Sequence, residues 1–240
     1  MSYSDYKSMY TQLIKAGMTK NGACGLLGNI HAESGGKSNN LQQTYEKKLG
    51  YTDDTYTAAV DNGTYTNFVH DSAGYGLCQW TYYSRKQNLL NYAKGAKASI
   101  GSESMQIEFL LHELKTSYKS VFNVLCDSAK TLKQCSDVVL TQFERPADQS
   151  DAAKNRRAGY GTNIYNAVAV TTATTSTAKA TKTVTVTAKS GLNVRSGPGT
   201  SYKKVTALVY GKTVTVYSDM ENGWYALADG SGYIYGKYVK

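Results

Sequence analysis

One short segment, Gly22-Ala-Cys-Gly-Leu-Leu-Gly-Asn-Ile-His-Ala-Glu-Ser34, predicts a buried helix near the start of the chain. Leu26 and Ile30 recur at the helical period and indicate an inward face. Its glycines are spaced by about one short turn and would let a second backbone approach closely. Glu33 follows Ile30 by three positions, so it is expected on the same buried face at the end of the helix.

The predicted position of Glu33 suggests that it acts as a general acid. Burial and the negative end of the helix dipole would both raise the pKa of its carboxyl. A carboxyl that keeps its proton at neutral pH can donate it to the oxygen of a glycosidic bond. From position alone, a structural glutamate paired with a nearby lysine is the alternative.

A second segment, Gly74-Tyr-Gly-Leu-Cys-Gln-Trp80, is lined by glycine and ends in a hydrogen-bonding amide and an aromatic ring. Together the two segments predict an acid beside a sugar-binding cleft. Residues up to about 168 carry helical periodicity, except between about 38 and 75, where we expect a long loop or small sheet.

Asn29-Ile-x-x-Glu-Ser34 followed by Gly74-Tyr-Gly-Leu-x-Gln-Trp80 resembles the phage-tail lysozyme family, a relative of goose-type lysozymes and soluble lytic transglycosylases. Later segments, His112-Glu-Leu, Tyr118-Lys-Ser-Val and Phe143-Glu-Arg-Pro146, extend the resemblance over residues 5–168. It implies that Glu33 is the catalytic acid. It also implies a set of substrate-binding residues: Ser34, Tyr75, Gln79 and Trp80.

The second catalytic group is open at this point. Asp71 could activate water or stabilise the oxocarbenium ion, or it could start an Asx-turn. Glu144 is a further candidate at the substrate site, with a structural ion pair to Arg145, Arg156 or Arg157 as its alternative. Without a second carboxylate, Glu33 alone would act as acid and then base while the sugar's 6-hydroxyl closes an anhydro ring. Carboxylate separation distinguishes these outcomes.

The C-terminal region changes in composition and period. Residues 170–182 are rich in Thr, Ala and Lys and predict a linker between a domain at 1–169 and one at 183–240. From Val184 onward apolar residues alternate, which predicts five or six short strands in a small barrel. Leu192-Asn-Val-Arg-Ser-Gly-Pro-Gly199 resembles the bacterial SH3-like wall-binding domain, and this implies wall-binding aromatic residues: Tyr202, Trp224, Tyr225 and Tyr233. The alternative for these rings is the barrel core, and Arg195 is expected to be structural in its turn. The predicted fold class is therefore α+β multidomain, a mostly helical lysozyme-like domain followed by an all-β SH3-like barrel.

Charge and composition limit the partners. The chain of 240 residues carries a net charge of +9, and residues 171–240 hold nine basic against three acidic residues. The two resemblances imply Gram-positive peptidoglycan as the partner. The basic tail would in addition attract anionic wall polymers, and we expect no nucleic acid. The four cysteines form no Cys-x-x-Cys and the histidines no His-Glu-x-x-His, so we expect neither a metal nor a cofactor.

The predicted function is that of an endolysin cutting the β-1,4 bond after N-acetylmuramic acid. Residues 1–7 lack the apolar core of a signal peptide, and no apolar run reaches the ~18 residues of a membrane helix. We therefore expect a cytoplasmic protein without membrane insertion, released to the wall by a membrane-permeabilising partner. A thiol-dependent amidase or endopeptidase is an alternative, with Cys78 served by His70 or His112, or Cys24 by His31. An inert wall-binding tail component is another.

Overall fold

The computed structural model describes residues 1–174, 181–221 and 223–240, without the side chains of 169–174, 219 and 221. The chain divides into two compact units, Met1–Thr171 and Thr172–Lys240. The last helix of the first unit continues through Thr174 and the first strand of the second begins at Thr181. Of the predicted linker at 170–182, residues 175–180 lie outside the described residues.

The first unit is helical. A 3₁₀ turn, Tyr3–Tyr6, precedes α1, Lys7–Lys15. The helices that follow are α2 Lys20–Ser34, α3 Gln43–Leu49, α4 Asp53–Asp61, α5 Tyr83–Ala96, α6 Glu103–Thr116, α7 Lys119–Cys126, α8 Leu132–Val138 and α9 Asp151–Thr174. A π-helical segment, Val139–Glu144, follows α8 directly.

Helix α2 lies in the middle of this unit, and the sequence prediction of it is confirmed. The Thr19 side chain accepts a hydrogen bond from the Gly22 amide and caps the helix. Close backbone approach is also confirmed. A Cβ on Gly22 would lie 1.9 Å from the Leu125 carbonyl oxygen, and one on Gly28 would lie 2.4 Å from that of Arg157. Any side chain at these positions would push neighbouring segments away from α2.

The segment from 38 to 75 contains helices α3 and α4 rather than the predicted long loop or small sheet. Thr52 and Thr55 form a capping box at the start of α4. Tyr56 and Val60 then point into the core. The helix is only nine residues long, so its apolar repeat is too short to stand out in the sequence.

The second unit is an antiparallel sheet of six strands: β1 Thr181–Thr185, β2 Leu192–Arg195, β3 Lys204–Leu208, β4 Thr213–Glu221, β5 Trp224–Leu227 and β6 Tyr233–Tyr235. The order is β1-β4-β5-β6-β2-β3, an open sheet rather than the closed barrel expected from the sequence. Val194, Val216 and Ile234 are fully buried in its core. The α+β multidomain class is confirmed.

No helix in the described part of the chain combines the length and the apolar character needed to cross a membrane.

Candidate active site

The C-terminal end of α2 and the loop before α5 meet at an open cavity of about 480 Å³. The cavity brings the two sequence motifs together, because Glu33 comes from one and Gln79 from the other. Its lining consists of Glu33, Gln42, Cys78, Gln79, Thr81, Tyr82, Arg85, Glu144 and Pro146. Most of these side chains are polar, as expected for a site that binds a hydroxyl-rich ligand.

Glu33 is held by an ion pair. Its Oε1 lies 2.7 Å from Nη2 of Arg157 on α9, and 19% of the Glu33 side chain is exposed. Arg157 Nη1 donates to the Asn29 side-chain oxygen, and the Asn29 amide donates to Ser136 on α8. One buried network therefore joins α2, α8 and α9 and fixes the carboxylate at the cavity.

Glu144 is the second carboxyl of the cavity. It ends the π-helical segment, and Arg145 follows in the left-handed region at φ 50°. Single π-helical turns often occur at functional sites, because the extra residue redirects a side chain. Within the described part of the chain, the buried Glu144 Oε1 has no hydrogen-bond partner. The sequence alternative of an ion pair between Glu144 and Arg157 is not observed, since Arg157 pairs with Glu33.

The surroundings of Glu144 favour its neutral form. Burial raises the pKa of this carboxyl from an ordinary 4.5 to about 8, and the nearby negative charge of Glu33 adds to the increase. The positive charges of Arg85 and Arg157 oppose it. A hydrogen bond with the Cys78 thiol also lowers this pKa. The sequence predicted a raised pKa for Glu33, whereas in the structure burial raises the pKa of Glu144.

Arg85 is oriented on the cavity wall by three contacts. Its guanidinium donates to both oxygens of Glu113, at 2.9 and 2.8 Å. It also lies over the Phe143 ring, 4.6 Å from the centroid. Trp80 Nε1 donates to the same Glu113 carboxylate at 2.8 Å. This buried set places a fixed positive charge beside Glu144.

Asp71, predicted as the second catalytic group, does not line this cavity. Its side chain is fully buried, and Oδ1 lies 2.5 Å from the Nζ of Lys86, which is also fully buried. Tyr56 and Tyr65 donate to Oδ2, and the Ala73 amide donates to Oδ1. The Asx-turn anticipated as its alternative is present in that last bond. Asp71 therefore stabilises the fold. Its charge compensates the buried lysine, and hydrogen bonds occupy both of its oxygens.

Two predicted cleft residues turn inward. Tyr75 and Trp80 are both fully buried and pair with each other across a tight hairpin. The Tyr75 hydroxyl lies 2.6 Å from the Thr57 hydroxyl, and Trp80 packs on Phe109. These rings support the loop from below and do not line the cavity.

Gln79 and Ser34 lie where the two motifs join. Gln79 lines the cavity, with its backbone in the left-handed region at φ 44°. Its amide nitrogen donates to the Asn40 backbone and side-chain oxygens, which fixes the orientation of the amide. The Ser34 hydroxyl is buried and donates to the Leu77 carbonyl, so Ser34 ties α2 to the loop rather than facing a ligand.

The thiols are poorly placed for nucleophilic chemistry. Burial raises the pKa of Cys78 well above its ordinary value and that of Cys24 to about 12. Among the described residues that line the cavity there is no histidine. His70 stacks on Tyr83, and His31 Nδ1 lies 2.8 Å from the Tyr6 hydroxyl.

The second unit has a groove of about 380 Å³. Its lining includes Trp224, which is 8% exposed, together with Arg195, Tyr235 and Tyr238. Of the predicted wall-binding residues, Trp224 thus lines the groove and the others lie elsewhere. Tyr225 is buried in the sheet core, Tyr233 is half-buried on β6, and Tyr202 is 48% exposed on the turn before β3. Arg195 donates to the Tyr202 carbonyl, as expected for a residue that stabilises this turn.

Several cavity residues were not anticipated from the sequence. Gln42 precedes α3 and accepts a hydrogen bond from the Gly74 amide, so it reaches the site from a segment with a weak pattern. Arg85 lies in the first turn of α5, five residues after Trp80, and no motif in the sequence marks it. No local pattern identifies Gln42.

Comparison with known protein families supports this description of the two units. Residues 4–168 match the phage tail lysozyme family, and residues 190–240 match the bacterial SH3 domain. A comparison with curated proteins gives no match. Because the first match covers well over half of the chain, the protein belongs to the phage tail lysozyme family and joins a peptidoglycan-degrading type of domain to a bacterial SH3 domain.

Proposed function

We propose that this protein is an endolysin that cleaves the β-1,4 bond between N-acetylmuramic acid and N-acetylglucosamine in Gram-positive peptidoglycan. One observation carries the proposal. Two carboxyls, Glu33 and Glu144, line the same polar cavity, and burial raises the pKa of Glu144. Most glycosidases use such a pair, in which one carboxyl gives a proton and the other carries charge.

In the free enzyme the proton resides on Glu144. At neutral pH its raised pKa keeps it protonated, while Glu33 is compensated by Arg157. Glu144 then donates to the glycosidic oxygen as the bond to the muramic acid carbon breaks. Glu33 stabilises the oxocarbenium ion and accepts a proton from the attacking hydroxyl, which is either water or the sugar's own 6-hydroxyl. This division differs from the family resemblance, which implies that Glu33 is the acid.

The cavity supports sugar chemistry over thiol chemistry. Cys78 lines it, but burial raises the pKa of its thiol well above normal, and no histidine among the described lining residues could accept the proton. A cysteine amidase needs a thiolate and a neighbouring base. Neither requirement is met around Cys78.

The test compares purified sacculi digested by the wild type, Glu33→Gln and Glu144→Gln, with the exposed α6 residue Glu108→Gln as matched control. We expect each cavity variant to lose about 100-fold or more of the activity, with Glu108→Gln unchanged. Mass spectrometry of the products should show new muramic acid ends, reducing for hydrolysis and anhydro for transglycosylation. Release of amino groups, or inactivation by iodoacetamide, would support the amidase instead.

We propose further that the second unit holds the enzyme on the wall. Its groove combines Trp224 and Tyr235 with the cation Arg195, and residues 171–240 carry two-thirds of the net positive charge. Weak binding by a tethered module raises the local concentration of the catalytic unit on a polymer. Ending the chain after Thr171 should weaken binding to Gram-positive walls and reduce its salt dependence, while soluble glycan fragments are still cut. Equal binding by both forms would count against this anchoring role.

The proposed enzyme must also reach the cell wall. A lytic enzyme made in the cytoplasm reaches peptidoglycan only after the membrane has been breached, so we propose that a membrane-permeabilising partner releases it. Expression in a host should cause lysis only when such a partner is co-expressed. Lysis by the enzyme alone would contradict this route.

A further inference from the structure

Two adjacent tyrosines at the mouth of the cavity are unusually exposed. Tyr82 is 63% exposed and lines the cavity, and Tyr83 is 53% exposed at the first position of α5. Within the described part of the first unit, other tyrosines are at least half buried against the core or its edge. Neighbouring rings left open beside a site indicate a surface kept for a ligand.

The rings form a short platform. The centroids of Tyr82 and Tyr83 are 4.8 Å apart with planes 49° apart, and the His70 ring lies 6.2 Å from that of Tyr83 with planes 21° apart. On the cavity side, Thr81 and Gln42 supply polar atoms next to Tyr82. A flat apolar ring beside hydrogen-bonding groups matches a pyranose, which has an apolar C–H face and a polar edge.

Tyr82 is the N-cap of α5, and its side chain makes no capping hydrogen bond. Helices α1, α3 and α7 also begin without a side-chain cap, whereas Thr19, Thr52, Ser102 and Thr131 cap their helices. Serine or threonine at an N-cap is favoured over a residue that cannot accept the amide hydrogen bond. A serine at position 82 would therefore remove the ring without weakening the start of α5.

We propose that Tyr82 and Tyr83, next to His70, bind the sugar of the glycan strand that follows the two sugars flanking the cleaved bond at Glu33 and Glu144. This rests on the proposed glycosidase function and adds a requirement for strand length. A long strand contacts the platform and the carboxyl pair together, while a short fragment reaches only the carboxyl pair. The platform therefore lowers KM for long strands and leaves kcat unchanged.

The experiment uses the full chain and peptide-free glycan fragments of two and eight sugars, because the disaccharide contains only the two sugars that flank the cleaved bond. Tyr82→Ser introduces a favoured cap and removes the ring, and Tyr82→Phe keeps the ring as matched control. For Tyr82→Ser we expect a three- to tenfold rise in KM for the octasaccharide, on the order of one lost ring contact. Because Tyr82 also lines the cavity, the decisive quantity is the difference between fragments: KM for the disaccharide should rise less than KM for the octasaccharide, and the Tm should not fall. Tyr82→Phe should behave like the wild type.

Calorimetric binding of the octasaccharide provides a readout independent of cleavage. If Tyr82→Ser binds and cleaves the octasaccharide as the wild type does, the platform is wrong and the glycosidase function stands. If the wild type binds it without cleaving it, and Tyr82→Ser binds more weakly, the platform stands and the proposed reaction fails. Absence of binding by the wild type would overturn the platform.

Discussion

Replacing Glu144 with glutamine should make the catalytic unit more stable at high pH. The folded protein raises the pKa of this carboxyl from 4.5 to about 8. Between these values the folded state binds a proton that the unfolded state has released, so stability falls as pH rises through this window and levels off above it. Glutamine has the same shape and no proton to lose, so the variant escapes this decline.

The size of the effect follows from the pKa. At about 1.4 kcal/mol per pH unit, the full difference corresponds to roughly 5 kcal/mol. The cavity is open to water, which screens the charge, so we expect about 2–3 kcal/mol. Relative to the wild type, Glu144→Gln should therefore gain about 2–3 kcal/mol in free energy of unfolding between about pH 4 and about pH 9.

Urea denaturation at these two pH values measures the difference. The chain has two tryptophans, and Trp80 is fully buried in the first unit. A Trp224→Phe background makes Trp80 fluorescence the reporter for that unit. Glu108→Gln, an exposed glutamate on α6, should show no pH-dependent difference. If Glu144→Gln differs from the wild type by the same amount at both pH values, the assignment of the proton to Glu144 is refuted.

Three further predictions follow from the same contacts. Asp71→Asn leaves the buried cation of Lys86 without a charged partner and should lower the free energy of unfolding by about 3–5 kcal/mol in urea denaturation. Below its unfolding temperature the variant should still cleave, and complete loss of cleavage in the folded variant would make Asp71 a catalytic residue. Gly28→Ala places a Cβ 2.4 Å from the Arg157 carbonyl oxygen. It should lower the free energy of unfolding by about 1–3 kcal/mol or more, measured by thermal unfolding, and reduce activity. An unchanged Tm would contradict the close packing. The cleavage rate on soluble fragments should fall about tenfold per pH unit above about pH 8, as Glu144 loses its proton, and a rate that stays constant to about pH 10 would exclude Glu144 as the acid.

Local sequence determined helix α2, the boundary of the second unit and the position of Glu33 in the site. Helical spacing and the Thr19 cap fix α2 and place Glu33 at its end, because both depend on residues within a few turns. The change from a helical to a two-residue period marks the second unit for the same reason. The sequence did not reveal helix α4, because nine residues are too few to show an apolar repeat.

Tertiary structure decided which charges meet. Arg157 bonds to Asn29 from 128 positions away in the chain and also pairs with Glu33, while Glu144 has no ion pair with any described residue. Asp71 lies near the second motif in sequence, but the buried Lys86 holds it within the core. The order of apolar and polar residues in the sequence indicates which side chains are buried. Which partner each buried charge finds depends on how distant helices pack, and in this protein the packing of α2 with the segments of Glu144 and Arg157 decides the composition of the active site.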